Sequence, residues 1–242
     1  MSENPSYPGS KGQPGVWQRI IGQMSPHTVY VEPFAGSAQV FFRKRPAAAS
    51  VLIDADAGAI DSLSTAVRNA GPDVSRGVQL IHGDALRWLQ GAAEWEHPAD
   101  ALVYCDPPYF LETRRSRRYY RHELSDEDHA TLLRALADLK CHVLLSGYPS
   151  ALYSSHLPGW RCLSYRTRTR GRTVTECLWC NFPEPTVLHD WRYAGRNFRE
   201  RLALRRLAAR TVARLQAMPP RKRGYVLNAV HQREDWRVPI VL

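Results

Sequence analysis

Asp106-Pro107-Pro108-Tyr109 carries the densest chemistry in the sequence. It follows Ala101-Leu-Val-Tyr-Cys105, an apolar run of strand length, so a carboxylate is delivered at the end of a buried strand. A given tetrapeptide of this kind arises by chance in such a chain on the order of once in a thousand. The prolines fix φ and remove N–H donors, leaving a stiff turn whose carbonyls only accept. Asp106 adds a second acceptor and Tyr109 an aromatic face. The set suits an exocyclic amine: Asp106 takes one amino proton in a hydrogen bond, a proline-stiffened carbonyl takes the other, and the Tyr109 ring stacks. An amine on a nucleobase reaches such a pocket only after the base leaves its duplex. The plain alternative is a stiff Pro-Pro turn leaving a strand.

Three other clusters fall at the ends of strand-like runs. Thr28-Val-Tyr-Val-Glu32 leads into Val31-Glu-Pro-Phe-Ala-Gly-Ser-Ala38, where Gly36 allows a tight backbone turn, with a helix expected after it. Val51-Leu-Ile-Asp54 places a carboxylate about twenty residues later, where nucleotide-binding sheets hold ribose hydroxyls. Val78-Gln-Leu-Ile-His82 runs into Gly83-Asp84, another acceptor, suited to an adenine ring. Each acidic residue alone reads equally well as a helix cap; in this order and spacing they favour an adenosine-bearing cofactor.

The elements that must position these residues alternate along the chain. A further strand is expected at His142-Val-Leu-Leu-Ser146. A helix follows Asp56 through Ile60, Leu63 and Val67, and another starts at Ser125, where Asp128 completes an acidic variant of the capping box. Leu132, Leu133, Leu136 and Leu139 then keep a helical period. Strands alternating with helices imply βαβ units and a parallel sheet. Two β-rich runs, Cys162–Thr169 and Thr173–Phe182, flank Arg170-Gly171 as a closing hairpin. Pro183-Glu-Pro185 ends the last strand. Arg196 to Met218 then reads as a long helix, with Leu204, Leu207, Thr211 and Leu215 on one stripe and Arg206, Arg210 and Arg214 on another.

Charge is unevenly placed. Residues 189–242 hold 13 Lys and Arg against 4 Asp and Glu, so nine of the net +10 lie there, and the other 188 residues hold 20 against 19. A near-neutral body with a basic extension fits a polyanionic partner, most simply nucleic acid. The five cysteines are odd in number, and several lie within apolar runs, which favours buried thiols over disulfides. Cys177-Leu-Trp-Cys180 has metal-ligand spacing, but no second pair completes a site, and a strand there sends the two side chains to opposite faces. No metal is expected. The first fifteen residues are polar and rich in Pro and Gly, and no run of eighteen apolar residues occurs, so a cytoplasmic protein without a membrane span is expected.

Taken together, Tyr7-Pro-Gly-Ser-Lys11, Val31-Glu-Pro-Phe-Ala-Gly36, Leu52-Ile-Asp54-Ala-Asp56, His82-Gly-Asp84 and Asp106-Pro-Pro-Tyr109 resemble the ordered motifs of Dam-like (D12 class) DNA adenine methyltransferases. Glu176-Cys-Leu-Trp179 with Asn181-Phe182 resembles that family's last strand motif, and the likeness runs from about Tyr7 to Phe182. The resemblance implies a Rossmann-like seven-stranded methyltransferase sheet of α/β class, mostly parallel with a closing antiparallel hairpin, plus a basic helical C-terminal extension. It divides the chain into a catalytic domain, residues 1–185, and an extension, residues 186–242, in contact with DNA. It implies S-adenosyl-L-methionine as cofactor, with Tyr7 and Lys11 at the methionine end, Glu32, Phe34 and Gly36 lining its channel, Asp54 on the ribose and Asp84 on the adenine. Asp106 would serve both cofactor and target, and the methyl group would pass directly to the adenine amino nitrogen.

Two departures stand out. Ala38 occupies a position where the family often has a second glycine. Only Ala85 to Val103 separates Asp84 from the catalytic strand, too short for the recognition domain that Dam-like enzymes carry there. DNA contact must come from elsewhere: from Arg114, Arg115, Arg117, Arg118 and Arg121 with Tyr119 and Tyr120, from Arg166, Arg168, Arg170 and Arg172 on the hairpin, or from Arg206, Arg210 and Arg214. The rival readings are an RNA adenine methyltransferase, a DNA-binding protein with an inactive methyltransferase body, and amino-directed cytosine methylation.

Overall fold

A computed structural model describes residues 11–91, 100–109, 123–169 and 172–233, without the side chains of 168, 169 and 172. In chain order the elements are α1 (Val16–Ile21), β1 (Val29–Pro33), β2 (Ala49–Asp54), α2 (Ala57–Asn69), the single turn α3 (Pro72–Ser75), β3 (Val78–His82), α4 (Ala85–Gly91), β4 (Ala101–Cys105), α5 (Asp126–Asp138), β5 (His142–Gly147), α6 (Ala151–His156), β6 (Arg161–Thr169), β7 (Arg172–Cys180), α7 (Phe198–Gln216) and α8 (Pro220–His231). The seven strands form one sheet in the order β3-β2-β1-β4-β5-β7-β6. β3 through β5 pair in parallel, whereas β7 runs antiparallel to both β5 and β6. This is the expected Rossmann-like methyltransferase sheet with its closing hairpin.

The sheet is buried on both faces because the parallel strands are apolar on both. Val31, Ile53, Val103, Cys105, Val143, Leu145, Cys177 and Trp179 face α4, α5 and α6. Their neighbours Tyr30, Leu52, Leu102, Tyr104, Leu144, Leu178 and Cys180 face α1, α2 and the segment Ala35–Phe41. Cys177 and Cys180 thus lie on opposite faces, as strand alternation requires, and all five cysteines are free thiols. β4, at the centre, has every residue buried.

The helices form where capping and periodicity agree. Asp56 caps α2 by accepting from Gly58 N–H at 2.9 Å, and Ala59, Leu63 and Val67 turn inward. Ser125 and Asp128 make the reciprocal capping box of α5, with Ser125 Oγ accepting from Asp128 N–H at 3.1 Å and Asp128 Oδ2 from Ser125 N–H at 2.9 Å. Each buried leucine of α5, such as Leu132, Leu133 and Leu136, contributes about 1.5–3 kcal/mol by leaving water.

Three expectations change. No helix follows the glycine turn: residues 35–44 are successive hydrogen-bonded turns, such as Phe42 N–H to Ala38 O and Lys44 N–H to Val40 O. Left-handed φ at Phe34, Gly36 and Ala38 prevents a regular helix from starting there. The long basic helix begins at Phe198, because Asn197 caps it through Glu200 N–H at 3.0 Å. A further helix, α8, follows it beyond the expected end at Met218, and Pro219-Pro220 is its start: Pro220 occupies the first helical position, where a missing N–H costs nothing.

Between sheet and α7, His189 to Tyr193 packs back on the body. His189 N–H donates to Met24 O at 2.9 Å, Asp190 Oδ2 accepts from Arg45 N–H at 3.0 Å, and Tyr193 sets its ring edge-on to Trp17. A Cβ at Gly22 would sit 2.7 Å from Tyr193 O, so only glycine permits this approach. No described helix is long and apolar enough to cross a membrane.

Candidate active site

The strand order reverses direction between β1 and β4, and open α/β sheets bind ligands at the carboxyl ends of strands beside such a reversal. β1 delivers Glu32-Pro33-Phe34 there, β2 delivers Asp54 and β4 delivers Asp106. The predicted chemistry therefore shares one edge of the sheet.

The turn after β1 is strained and tied down. Phe34 has φ +62°, Gly36 +50° and Ala38 +45°. A non-glycine residue in this region costs about 1–2 kcal/mol, and such strain gathers at functional sites. Ala35 N–H donates to Ile53 O at 2.8 Å, and Gly36 N–H to Asp54 Oδ2 at 2.7 Å. Asp54 Oδ1 accepts from Asp56 N–H at 2.8 Å, so this carboxylate pins the β1 turn to the end of β2. Ala38, standing where glycine is usual in the family it resembles, adopts a glycine-like backbone.

Lys11 is enclosed, with 4% of its side chain exposed, and its ammonium lies 2.9 Å from Asp106 Oδ1 and 3.6 Å from Glu176 Oε2. It also donates to the Tyr109 hydroxyl. That hydroxyl donates in turn to Glu176 Oε1 at 3.1 Å, and Tyr165 OH donates to Glu176 Oε2 at 3.1 Å. One ammonium is thus shared between two carboxylates from different strands. Burial alone would push the Lys11 pKa down, but Asp106 and Glu176 hold it well above its ordinary value. Burial raises the Asp106 carboxyl, Lys11 opposes this, and Glu176 raises it further. Asp106 nonetheless keeps 19% of its side chain open, and Tyr148, after β5, lies 4.4 Å from Tyr109, ring centre to ring centre.

Beneath the turn lies a second set of enclosed polar groups. Glu32 is 3% exposed and accepts from Tyr30 OH at 2.7 Å. Burial pushes its carboxyl up to about 8, against the Tyr30 hydrogen bond. Lys44 sits 4.2 Å from the centre of the Tyr30 ring, and burial lowers its ammonium to about 7 despite the Glu32 charge. Glu32 therefore faces the interior, while Phe34, Gly36 and Asp54 are half-buried along the sheet edge.

The remaining expected site residues lie apart. Asp84 is exposed and accepts from Leu86 N–H at 2.8 Å at the start of α4, in the manner of a helix cap. Arg206, Arg210 and Arg214 line exposed turns of α7, far along the chain from the strand ends. Arg166 is exposed on β6. Tyr7, Arg114, Arg115, Arg117, Arg118, Tyr119, Tyr120, Arg121 and Arg170 fall outside the described residues, as do the side chains of Arg168 and Arg172. Sequence reasoning assigned no role to Glu176, Tyr165 or Tyr148. Glu176 was signalled as an acid inside a strand run and as the first residue of the Glu176-Cys-Leu-Trp179 run, without a role attached to it. Among the described residues, no group of three His, Cys, Asp or Glu is arranged to hold a metal ion.

The class that fold and site define is an open α/β sheet with acidic side chains at the strand ends beside its strand-order reversal. No family model matches the chain, and no curated protein matches it. Solved structures similar to it include precorrin 8W decarboxylase from Methanobacterium thermoautotrophicum, 15% identical over 76% of this chain and 97% of that one, with a TM-score of 0.48. An rRNA methylase from Streptococcus thermophilus is 8% identical over 68% and 90% of the two chains, at 0.45. Magnesium protoporphyrin IX methyltransferase from Synechocystis, with bound SAM, is 13% identical over 69% and 75%, at 0.44. With scores below 0.5, the fold is read from the strand order and pairing of this chain itself.

Proposed function

We propose that the protein is an S-adenosylmethionine-dependent methyltransferase acting on the exocyclic amino group of adenine in DNA. The observation that carries the reading is the Asp106-Pro-Pro-Tyr109 turn, held at the end of the central strand beside the crevice, with its carboxylate partly open. Asp54, a carboxylate at the end of β2 oriented by the Gly36 and Asp56 N–H groups, suits a ribose diol, and Phe34–Gly36 suits the methionine arm. The cofactor would supply an electrophilic methyl on a sulfonium, an excellent leaving group.

The chain's own residues then orient and polarise. Asp106 accepts a hydrogen bond from the amine, which returns electron density to a nitrogen otherwise delocalised into the ring, and it stands ready for the proton released after transfer. Pro107 and Pro108 keep the neighbouring carbonyls from rotating, and the Tyr109 ring stacks on the extruded base. Positioning and electrostatics supply the rate, without a metal or a cysteine nucleophile. Lys11, closely engaged by Asp106, Tyr109 and Glu176, acts on the catalytic carboxylate beside the methionine-end role that the family resemblance implies.

In this reading residues 1–185 catalyse, and the extension holds DNA. α7 and α8 with their caps carry Arg199, Arg205, Arg206, Arg210, Arg214, Arg221 and Lys222 on exposed positions, in keeping with phosphate contacts. The test is long-read sequencing of DNA from a methylation-free host expressing the chain, beside transfer of labelled methyl to duplex DNA, single strands, transfer RNA and ribosomal RNA. Modified adenines in the host DNA are expected. Transfer to RNA alone would select the RNA reading. Cofactor binding without any transfer would select the inactive DNA-binding reading.

A further inference from the structure

Glu176 enters the cluster from β7, the strand inserted antiparallel beside β5, and none of the strand-end motifs calls for it. It is 4% exposed, and both of its oxygens are engaged: Oε1 accepts from Tyr109 OH at 3.1 Å, Oε2 from Tyr165 OH at 3.1 Å, and Lys11 stands 3.6 Å away. A carboxylate enclosed like this is costly unless it is paired and hydrogen-bonded, which Lys11, Tyr109 and Tyr165 together provide. The catalytic turn is therefore held twice. Lys11 holds Asp106 directly, and Glu176 holds both Lys11 and the Tyr109 hydroxyl.

We propose that Glu176 is the positioning residue of the Asp106-Pro-Pro-Tyr109 turn, fixing the Tyr109 ring through its hydroxyl and the Asp106 carboxylate through the shared Lys11 ammonium. It does not touch the reacting atoms. Its negative charge also faces Asp106 across that ammonium, so it sets how strongly Asp106 holds a proton. Other titratable groups around Asp106 are Tyr104 and Cys105 on β4, Tyr30 and Glu32 on β1, Tyr153 on α6 and Tyr165 on β6; none of these supplies a second carboxylate to Lys11.

The proposal rests on the methyltransferase reading for its turnover readout only, and a second readout is independent of it. Carboxyl carbon NMR of the free full-length protein follows Asp106 titration without cofactor or DNA. In Glu176→Gln the charge is lost at constant size, and the Asp106 midpoint should fall by about one pH unit, since a nearby like charge is removed. Turnover should drop about tenfold or more with cofactor affinity within about twofold, since small misplacements cost rate rather than binding. Glu176→Asp keeps the charge but shortens the reach, so its midpoint should return close to wild type while its turnover stays low. A folded Glu176→Gln with wild-type midpoint and turnover overturns the proposal. Should Glu176→Gln not fold, Glu176→Asp decides alone: wild-type turnover there overturns the proposal, and low turnover with a retained midpoint supports it. If the wild type transfers no methyl, the functional reading fails, and the NMR midpoints still decide the role of Glu176.

Discussion

The strand-end cluster and the C-terminal helices both depend on charge, yet they use it in opposite ways. At the cluster, one ammonium is shared between two carboxylates, with Lys11 and Glu176 enclosed and Asp106 partly open, so each charge depends on a particular partner. On α7 and α8 most of the arginines stand in solvent, Arg201 being buried, and even apolar residues stay outside: Leu204 is 44% exposed, Leu207 54% and Tyr225 77%. Coulomb energy explains the contrast. The same pair of charges interacts several times more strongly inside a protein than in water, where salt also screens it. Chemistry that needs one proton accepted in one place belongs in the first environment, and grip on a long polyanion in the second.

The sharpest way to break the comparison is at Asp106. Asp106→Ala should abolish methyl transfer while leaving intact the nucleic-acid affinity proposed for the helices. Retention of more than about a tenth of the activity, a deficit below roughly 1.4 kcal/mol, would contradict its role as the amine's acceptor.

Lys11→Ala tests the buried half through stability. It leaves Asp106 and Glu176 facing each other without a cation, and breaking such a group from one side costs about 3–5 kcal/mol. Urea denaturation at neutral pH should show this as a lower midpoint at unchanged slope. A loss below about 1 kcal/mol would mean that the ammonium is not the keystone of the cluster.

On the exposed half the expected effect is spread out. Reversing Arg206, Arg210 and Arg214 together should flatten the log-log dependence of DNA affinity on salt by about 2.7 units if each meets a phosphate. Stability should hardly change, because Leu204 and Leu207 already lie in solvent and the helix is not packed down through them. An unchanged slope would move the DNA contact away from α7, to α8 or to the segment holding Arg114 to Arg121.

Glu32 sharpens the contrast through pH. Its folded pKa of about 8 stands above the ordinary 4.5, so the folded protein holds a proton that the unfolded chain has lost between those values. Its contribution to stability is whole below pH 4.5 and is lost as pH rises through about 8, at no more than about 1.4 kcal/mol per pH unit. Glu32→Gln should therefore gain on wild type steadily between about pH 5 and pH 7 in paired denaturation curves. Parallel curves would show that Glu32 is ionised in the folded state.

Much of this was legible in the sequence, for reasons that differ by region. The strands and α2 and α5 were readable because hydrophobic period and cap agree at each: Asp56 before Leu63 and Val67, Ser125 and Asp128 before Leu132 and Leu136. The turn after β1 was misread as leading into a helix because its control is long-range, from Ile53 O and the Asp54 carboxylate, and no local pattern reports that. α8 was missed because a proline pair signals both the end of one helix and the start of another. At the site, Asp106 and Asp54 announce themselves by following strands. Tyr165 carries no such signal, and the Glu176-Cys-Leu-Trp179 run gives Glu176 no place at the site, since pairing of β6 with β7, the Tyr165↔Glu176 register, is what brings the two together.

Ala38 gives the smallest and most local test, at the boundary between strain and function. Its φ of +45° costs about 1–2 kcal/mol relative to a conformation ordinary for alanine. Glycine would remove that strain but free the unfolded chain by about 0.4–1 kcal/mol and surrender a buried methyl worth about 0.8 kcal/mol. The net change in stability for Ala38→Gly should therefore lie within about 1 kcal/mol of zero. Cofactor affinity should respond more than stability, because the turn it loosens spans Phe34 to Ala38 and is tied to Asp54. A calorimetric titration with S-adenosylmethionine and a thermal melt on the same sample compare the two directly. If affinity is untouched while the melt shifts by several degrees, the strain at Ala38 serves the fold and not the crevice, and the turn belongs with the packed body instead of the site.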